Sequence, residues 1–304
     1  MADLSVNIAG VGFKNPLIAA SGCFGFGREY EEFYPLSLLG GISTKGMTRN
    51  PRDGNPPPRV AETRGGMLNS VGLQNPGIEY FIQHELPYLR QKNTVIIANI
   101  AGFTIDEFVQ MAEMLDTTDV DMLELNISCP NVKQGGVSFG ICRDNAAAVV
   151  SAVRAVTSKP LMVKLTPNVT DIADIARAVE FAGADAISLI NTLLGMRIDI
   201  DTRRPILRNN VGGLSGPAVF PVALRMVWQV AKAVEIPVIG LGGISTPRDA
   251  LEMIIAGASA FQVGTELFSD PDCPAKILSG ISEWMDQNGI ESIGEIKGTL
   301  KIWE

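Results

Sequence analysis

The amino-acid sequence predicts an α/β protein built as one (β/α)8 barrel, with residues 1–304 forming a single domain. Eight short apolar runs recur along the chain with helical patterns between them, and none of the runs alternates apolar with polar residues. Runs this apolar, without alternation, are typical of parallel strands buried on both faces. Eight βα units can close into a barrel, and a doubly wound open sheet is the alternative arrangement of the same units.

The eight predicted strands are separated by segments long enough to hold a helix each. They are Leu17 to Ala20, Gly41 to Thr44, Val95 to Ala98, Met122 to Leu125, Leu161 to Leu165, Ala186 to Ile190, Val238 to Leu241 and Ala260 to Val263. Excursions from the barrel are predicted after the second, fourth and sixth strands. The barrel prediction therefore fixes which ends of the strands lie together.

Helix starts and stops support the same architecture. Thr104 with Glu107, and Thr246 with Asp249, have the spacing of capping boxes, and Pro247 occupies a favoured first helical position. A helix stop is predicted at glycine in two similar segments that lead from a helix into a strand, Ala182 to Ile187 and Ala256 to Phe261. The apolar face before the first of these stops consists of Ile172, Ile175, Ala176 and Val179.

Composition and charge exclude several classes of protein. The longest uncharged run, Asn209 to Leu224, has sixteen residues and is broken by glycines and prolines, so no membrane-spanning helix is expected. The net charge of −8 and the lack of lysine or arginine runs argue against a nucleic-acid partner. The first residues include an acid where a secretory signal has basic residues, which predicts a cytoplasmic protein.

The cysteines and the single histidine leave little for a metal. Four cysteines at positions 23, 129, 142 and 273 form no C-x-x-C pair, and His84 is the one histidine. Disulfides, a structural zinc site and a cysteine-ligated iron–sulfur cluster are not expected within this chain.

Polar residues and glycines end the predicted strands, and in a barrel these positions ring one face. They are Ser21, Lys45, Asn99, Asn126, Lys164, Asn191, Gly242 and Gly264. Barrel enzymes hold their active sites on this face. A single one of these residues, such as Asn99, is also compatible with an ordinary strand terminus. Several polar side chains converging there predict a polar ligand, because leaving them buried without a partner costs about 1–3 kcal/mol each.

Glycines after the last two strands predict a phosphate site. Gly240, Gly242 and Gly243 lead from the seventh strand into a capped helix, and Gly264 with Thr265 follows the eighth. Backbone N–H groups without side-chain bulk suit a phosphate, and barrels often bind one beyond these strands. A pair of tight turns is the alternative explanation of the same glycines.

Cys129 and Lys164 are the candidate reactive side chains. Cys129 opens a loop with Gly135, Gly136 and Gly140, which predicts a reactive thiol on a loop over the barrel mouth rather than an inert buried cysteine. His84 lies in a predicted helix between the second and third strands, so a cysteine–histidine pair is poorly supported. For Lys164 three roles stay open: a Schiff-base amine, a cation for an anionic cofactor, or a salt-bridged barrel lysine.

Three segments together resemble dihydroorotate dehydrogenase of class 1. They are Asn69 to Asn75 (NSVGLQN), Asn126 to Asn131 (NISCPN) and Asn191 to Met196 (NTLLGM). The resemblance extends over nearly the whole chain and includes Ser21, Lys45, Gly46, the segments Lys164 to Pro167 and Gly212 to Gly216, and the two glycine turns. The segments Asn191 to Met196 and Gly212 to Pro217 are more similar to the catalytic subunit of the NAD-linked class 1B enzyme than to the fumarate-linked class 1A enzyme.

The resemblance implies one flavin mononucleotide (FMN) per chain and oxidation of dihydroorotate to orotate in pyrimidine (UMP) biosynthesis. The implied FMN-binding residues are Ser21, Lys45, Gly46, Asn99, Asn126, Lys164, Ile190, Gly216, Gly242, Gly243, Gly264 and Thr265, with the phosphate on the last four. The implied substrate-binding residues are Lys45, Asn69, Ser70, Val71, Gly72, Leu73, Asn126, Asn191 and Thr192. Cys129 is the implied general base, and no metal is implied.

The resemblance also implies partners. A homodimer of this chain would bind a separate electron-transfer subunit that carries FAD and a [2Fe–2S] cluster, giving a heterotetramer without a membrane or nucleic-acid partner. Two rival functions stay open. The nearer is another flavin barrel, such as a class 1A enzyme or a pyrimidine or enoate reductase, and the more distant is a flavin-free lyase in which Lys164 forms a Schiff base.

Overall fold

Eight parallel strands close into a barrel in the computed structural model, which describes residues 2–128 and 139–303. Within the described residues the strands are β1 (Val6–Ile8), β2 (Val11–Phe13), β3 (Leu17–Ala19), β4 (Gly41–Ser43), β5 (Val60–Thr63), β6 (Gly66–Asn69), β7 (Val95–Ile100), β8 (Met122–Asn126), β9 (Leu161–Lys164), β10 (Ala186–Leu189), β11 (Leu193–Gly195), β12 (Ile198–Asp199), β13 (Arg204–Pro205), β14 (Gly212–Ser215), β15 (Val238–Leu241) and β16 (Ala260–Val263).

The barrel strands are the eight predicted runs. In the order β3, β4, β7, β8, β9, β10, β15 and β16 each strand pairs with the next, and β16 pairs with β3 to close the ring. The prediction of a (β/α)8 barrel is therefore confirmed, and the doubly wound sheet is excluded. Residues 17–19, 41–43 and the other barrel strands are buried along nearly their whole length, as apolar runs without alternation require.

Helices surround the barrel. They are α1 (Ile78–Tyr80), α2 (Leu86–Leu89), α3 (Ile105–Asp116), α4 (Arg143–Arg154), α5 (Ile172–Phe181), α6 (Phe220–Ala231), α7 (Pro247–Ile255), α8 (Glu266–Ser269) and α9 (Cys273–Asn288). A π-helical turn, Phe81–Glu85, joins α1 to α2 and contains His84, so the predicted helical position of this residue is confirmed. Short 3-10 helices are Tyr30–Glu32, Leu36–Leu38, Arg90–Lys92, Phe139–Ile141, Pro217–Val219 and Ile293–Ile296. Within the described part of the chain, none of the helices has the length and apolar character needed to cross a membrane.

The two predicted capping boxes differ in outcome. At α7 the Thr246 hydroxyl accepts from the Asp249 N–H and the Asp249 carboxylate accepts from the Thr246 N–H, so this box is complete. At α3 the Thr104 hydroxyl accepts from the Glu107 N–H, as predicted. The Glu107 carboxylate instead accepts from the N–H of Phe103, one residue further back. The extra methylene of glutamate gives it this longer reach.

The predicted excursions after the second and sixth barrel strands meet in one antiparallel sheet. Its strand order is β11, β14, β6 and β5, so the hairpin β5–β6 pairs with residues that follow β10. β12 and β13 form a separate pair in the later excursion. The excursion after β8 includes residues 129–138, which lie outside the described residues, and continues in Phe139–Ile141. The mixed sheet brings residues from two distant parts of the chain to the same end of the barrel.

Side chains fill the barrel interior in layers contributed by alternate strands. At the amino-terminal end the hairpin β1–β2 packs Ile8 and Phe13 against an apolar layer. That layer contains Ile18, Ile97, Met162 and Ile239 from the odd-numbered barrel strands. Side chains point to the same face at every second residue of a strand. Two residues further along the odd strands the chain therefore presents Ala20, Asn99, Lys164 and Leu241, near the carboxyl end.

Candidate active site

A cavity of about 430 Å³ lies at the carboxyl-terminal ends of the barrel strands. Most of the residues predicted for the site line it: Ser21, Lys45, Gly46, Asn69, Val71, Gly72, Leu73, Asn126, Lys164, Ile190, Asn191, Thr192, Gly242, Gly243, Gly264 and Thr265. They come from strand ends and from the mixed sheet of the two excursions. The fold therefore gathers residues that are as much as 244 positions apart in sequence, from Ser21 to Thr265.

Three predicted residues lie behind the cavity wall. Asn99 is fully buried and donates from Nδ2 to Ser21 Oγ over 3.3 Å. Ser70 is also fully buried, and its backbone N–H donates to the carbonyl of Arg59. Gly216 supports the first glycine turn from behind, because a side chain on Gly243 would place its Cβ 2.7 Å from the Gly216 carbonyl oxygen.

Cys129, the predicted base, and the predicted loop glycines Gly135 and Gly136 lie outside the described residues. The residues that lead to Cys129 are well fixed. The Ser128 hydroxyl donates to Asn126 Oδ1 over 2.8 Å, and Asn191 Nδ2 contacts the same hydroxyl at 2.8 Å. The chain therefore reaches position 128 between two residues of the cavity wall.

A buried carboxylate lies in the barrel beneath the cavity, and the sequence reasoning missed it. Glu124, on β8, is fully buried and accepts hydrogen bonds from Ser43, Ser188, Asn99 and Gln262. Burial raises the pKa of Glu124, but the charge of Lys164 and the hydroxyl and amide donors outweigh it, so the net shift is downward. Glu124 is therefore ionised at neutral pH.

Lys164 belongs to the same polar region. Only 4% of its surface is exposed, and Nζ donates to Ser21 Oγ over 3.2 Å. The positive charge of Lys164 lowers the pKa of Glu124, as described above. Lys164 thus places a cation at the cavity wall with a carboxylate counter-charge deeper in the barrel.

Other cavity residues were also missing from the prediction. Cys23 and Phe268 line the cavity after the first and last barrel strands, and Val60 and Met67 reach it from the β5–β6 hairpin. Burial raises the pKa of Cys23 despite the opposing charges of Lys164 and Lys45, so its thiol stays protonated. The alternation along strands signals Glu124 and Gln262, which precede Asn126 and Gly264 by two residues.

The two glycine turns line the cavity. Gly242, Gly243, Gly264 and Thr265 follow β15 and β16, and the structure gives their N–H groups no acceptor among the described residues. Gly242 and Gly243 have φ of +122° and +77°, and a Cβ on either would meet other atoms at 3.0 Å or less. Free N–H groups on a close-packed glycine backbone form a site for an anion such as phosphate.

The chain is similar to proteins of one family over nearly its full length. The dihydroorotate dehydrogenase family model matches residues 3–285. A protein of Thermoanaerobacter pseudethanolicus is 56% identical over 300 residues, covering 99% of both chains, and one of Alkaliphilus oremlandii is 57% identical over 298 residues, covering 98% of this chain and 99% of its own. A protein of Bacteroides fragilis is 54% identical over 303 residues, covering 99% of this chain and all of its own. Each is named dihydroorotate dehydrogenase B (NAD(+)), catalytic subunit.

Proposed function

The chain belongs to the dihydroorotate dehydrogenase family, and on this basis we propose that it oxidises dihydroorotate to orotate in pyrimidine biosynthesis as the catalytic subunit of an NAD-linked enzyme. Relatives that are 54–57% identical and carry that name support the NAD-linked class over the fumarate-linked class. The unpaired N–H groups at the ends of β15 and β16 are the structural observation on which the proposal chiefly depends, because they suit the phosphate of a flavin nucleotide.

The cavity fits FMN on three counts. Its volume of about 430 Å³ falls within the range of small-molecule and cofactor sites, which is about 300–1,000 Å³. The glycine turns offer N–H donors for the phosphate at one end. Deeper in the site, the buried oxygens Asn99 Oδ1 and Gln262 Oε1 lack a hydrogen-bond partner among the described residues. Buried acceptors without a donor are expected where a polar ligand supplies the donor.

Each group of residues has its own role in the proposed FMN site. Gly242, Gly243, Gly264 and Thr265 hold the phosphate, while Lys164 lies near the ring as a cation. The other proposed FMN-binding residues are Ser21, Lys45, Gly46, Asn99, Asn126, Ile190 and Gly216. When bound, the flavin supplies a hydride acceptor.

The proposed substrate site lies over the same cavity. Lys45, Asn126 and Asn191 line the cavity, and in the proposal they bind the carboxylate and ring carbonyls of dihydroorotate through charge-assisted and neutral hydrogen bonds. The remaining substrate-binding residues in the proposal are Asn69, Ser70, Val71, Gly72, Leu73 and Thr192. Cys129 takes the proton from one ring carbon while the neighbouring carbon loses a hydride. Two electrons and two hydrogens thus leave the substrate, as formation of the orotate double bond requires.

Lys164 separates the flavin proposal from the Schiff-base alternative. Its Nζ donates to Ser21 Oγ, and Lys164 interacts electrostatically with the buried carboxylate of Glu124, so the amine is already engaged in the polar layer of the barrel. We expect Lys164→Ala to weaken FMN retention by about tenfold or to lower the reduction potential of the flavin, because a nearby cation stabilises the anionic reduced ring. Fluorescence titration and dye equilibration measure these two effects.

Lys232→Ala is the matched control for that prediction. Lys232 lies over the ring of Trp228 on α6, so the substitution removes the same charge away from the cavity. Borohydride reduction in the presence of substrate should leave no covalent adduct on Lys164. An adduct on that residue would favour the lyase and contradict the flavin role.

The first glycine turn gives a second prediction. In Gly243→Ala the new Cβ would lie 2.7 Å from the Gly216 carbonyl oxygen and 2.8 Å from the Phe220 nitrogen, at a φ of +77°. The backbone must shift, and the left-handed conformation alone costs about 1–2 kcal/mol. We expect FMN binding to weaken at least about tenfold, which equals about 1.4 kcal/mol. Gly12→Ala is the control, since a Cβ there meets nothing within 4 Å. Equal FMN affinities of the two variants would contradict the phosphate assignment.

The visible spectrum and the turnover of the purified chain test the function as a whole. A yellow protein with non-covalently bound FMN and orotate formation in the presence of an artificial acceptor are expected. A colourless preparation that binds no added FMN would refute the proposal, and a flavoprotein that ignores dihydroorotate but reduces enoates would shift it to the rival reductases.

The chain is also proposed to act in a cytoplasmic complex with a second kind of subunit. Residues 1–304 act as one FMN-binding domain, and two copies form a homodimer that binds an electron-transfer subunit carrying FAD and a [2Fe–2S] cluster, giving a heterotetramer in the cytoplasm. The words "catalytic subunit" in the names of the relatives support the separate subunit. Size-exclusion chromatography of the chain with and without that subunit measures the predicted assembly.

A further inference from the structure

One carboxylate organises a polar layer inside the barrel. Glu124 Oε2 accepts from Ser43 Oγ and Asn99 Nδ2, each at 2.5 Å, and Oε1 accepts from Ser188 Oγ at 2.7 Å and Gln262 Nε2 at 3.1 Å. These donors come from β4, β7, β10 and β16, so strands around the whole ring point to one group. Four donors occupy the acceptor positions of the carboxylate.

The ionised carboxylate fixes the orientation of both amides. A carboxylate only accepts hydrogen bonds, so Asn99 and Gln262 must turn their NH2 groups toward it. Their carbonyl oxygens then point away from Glu124. Both oxygens are buried and lack a partner among the described residues. The Asn99 oxygen lies 2.9 Å from where a Cβ on Gly46 would be, and Gln262 itself lines the cavity, as does Gly46.

We propose that Glu124 is a positioning residue that turns the carbonyl oxygens of Asn99 and Gln262 toward the cavity, where they accept hydrogen bonds from N–H groups of the bound flavin ring. This inference rests on the proposed function, which supplies the ring. Glu124 itself touches the two amides and two serines rather than the cavity. The lowered pKa of Glu124 supports it, because the carboxylate stays ionised at neutral pH.

The two serines cannot fix the orientation of the amides as the carboxylate does. The hydroxyls of Ser43 and Ser188 can donate or accept by rotating, so they can bond to either a carboxylate or an amide at position 124. An amide side chain has a fixed donor end and a fixed acceptor end. In Glu124→Gln the new NH2 faces either Asn99 or Gln262, whichever way it turns, and that neighbour must turn its own carbonyl inward. One acceptor at the cavity then becomes a donor.

The reduction potential of bound FMN tests whether Glu124 orients the two amides. Glu124→Gln removes a negative charge and replaces an acceptor by a donor, and both changes favour the anionic reduced ring. We expect the two-electron equilibrium with a reference dye to shift toward reduced flavin by about tenfold or more, which is about 30 mV. Fluorescence titration should also show FMN binding weakened by about tenfold.

Ser188→Ala is the matched control. It removes one donor to the same buried carboxylate and leaves both amides oriented. Both variants should lower the melting temperature of the protein, but only Glu124→Gln should shift the potential by the full amount. An equal shift in the two variants would mean that loss of packing explains the result, and an unchanged potential in Glu124→Gln would overturn the inference while leaving the proposed function intact.

A second variant covers the case in which Glu124→Gln does not fold. Gln262→Met keeps the length of the side chain and the charge of Glu124, and it removes one oriented acceptor together with one donor to Glu124. Ser188→Ala removes a donor to the same oxygen alone and is therefore the control for this variant as well. The flavin potential should again rise, and an unchanged potential would overturn the inference. If the unaltered protein binds no FMN, the proposed function fails, and this inference fails with it.

Discussion

Replacing Cys129 by alanine is expected to lower turnover of dihydroorotate by about 10²- to 10⁴-fold, the usual contribution of a general base. FMN should stay bound, because the residues proposed for the phosphate lie beyond β15 and β16, on strands remote in sequence from position 129. The expectation depends on the position of Ser128, the described residue that precedes Cys129. Ser128 hydrogen-bonds to Asn126 and Asn191, both of which line the cavity, so the described chain reaches the cavity wall at position 128. Steady-state kinetics and the flavin absorbance of the same preparation measure both effects.

Cys129→Ser tests the chemistry of the base rather than its presence. A hydroxyl is a much weaker acid than a thiol, so less of it is in the basic form at neutral pH and the fraction grows as pH rises. Turnover should therefore be impaired at neutral pH and recover in part at alkaline pH. Cys142→Ala is the matched control, since Cys142 precedes α4, makes no cap hydrogen bond and does not line the cavity. Near-normal turnover of Cys129→Ala at neutral pH would contradict the assignment.

The barrel could be predicted because its strands are recognisable without their neighbours. Each of the eight runs is mostly apolar and does not alternate, since both of its faces are buried, and this pattern is local in sequence. The polar strand ends were equally visible, because Lys45 and Asn126 directly follow apolar runs and Lys164 lies one residue before the end of another. Barrel geometry then brings strand ends together without further information.

The site residues that the sequence did not reveal depend on contacts with other strands. Glu124 appears in the sequence as one acid inside an apolar run, and only closure of the barrel places Ser43, Ser188 and Gln262 around it. The contribution of Val60 and Met67 likewise requires β6 to pair with β14, about 145 residues later in the chain. The sequence identified Asn99 as a site residue. It did not show that Asn99 lies behind the cavity wall or that the orientation of its amide matters. The alternation along the strands indicates that Glu124 and Gln262 face inward, but the contacts that define their roles come from other strands and leave no local signal.

The transfer of electrons from the proposed flavin to NAD is the step for which this chain is expected to need a partner. Each turnover leaves two electrons on the proposed flavin, which must pass to another acceptor. After β16 the described residues form α8, α9 and the turn Ile293–Ile296, and they contain no second βαβ unit for a dinucleotide. The four cysteines lie at positions 23, 129, 142 and 273, far from the spacing that ligates a cluster. We therefore expect electrons to reach NAD through another protein.

The isolated chain is accordingly expected to oxidise dihydroorotate with an artificial dye as acceptor and to reduce NAD at less than about a hundredth of that rate, a difference that corresponds to about 2.7 kcal/mol in activation free energy. The electron-transfer subunit should restore NADH formation when it is added to the same preparation. Orotate formation with the dye serves as the control, because it shows that the flavin is loaded and the substrate site works. Fast NADH formation by the chain alone would refute the need for a partner. Turnover that depends on fumarate would instead assign the chain to the fumarate-linked class.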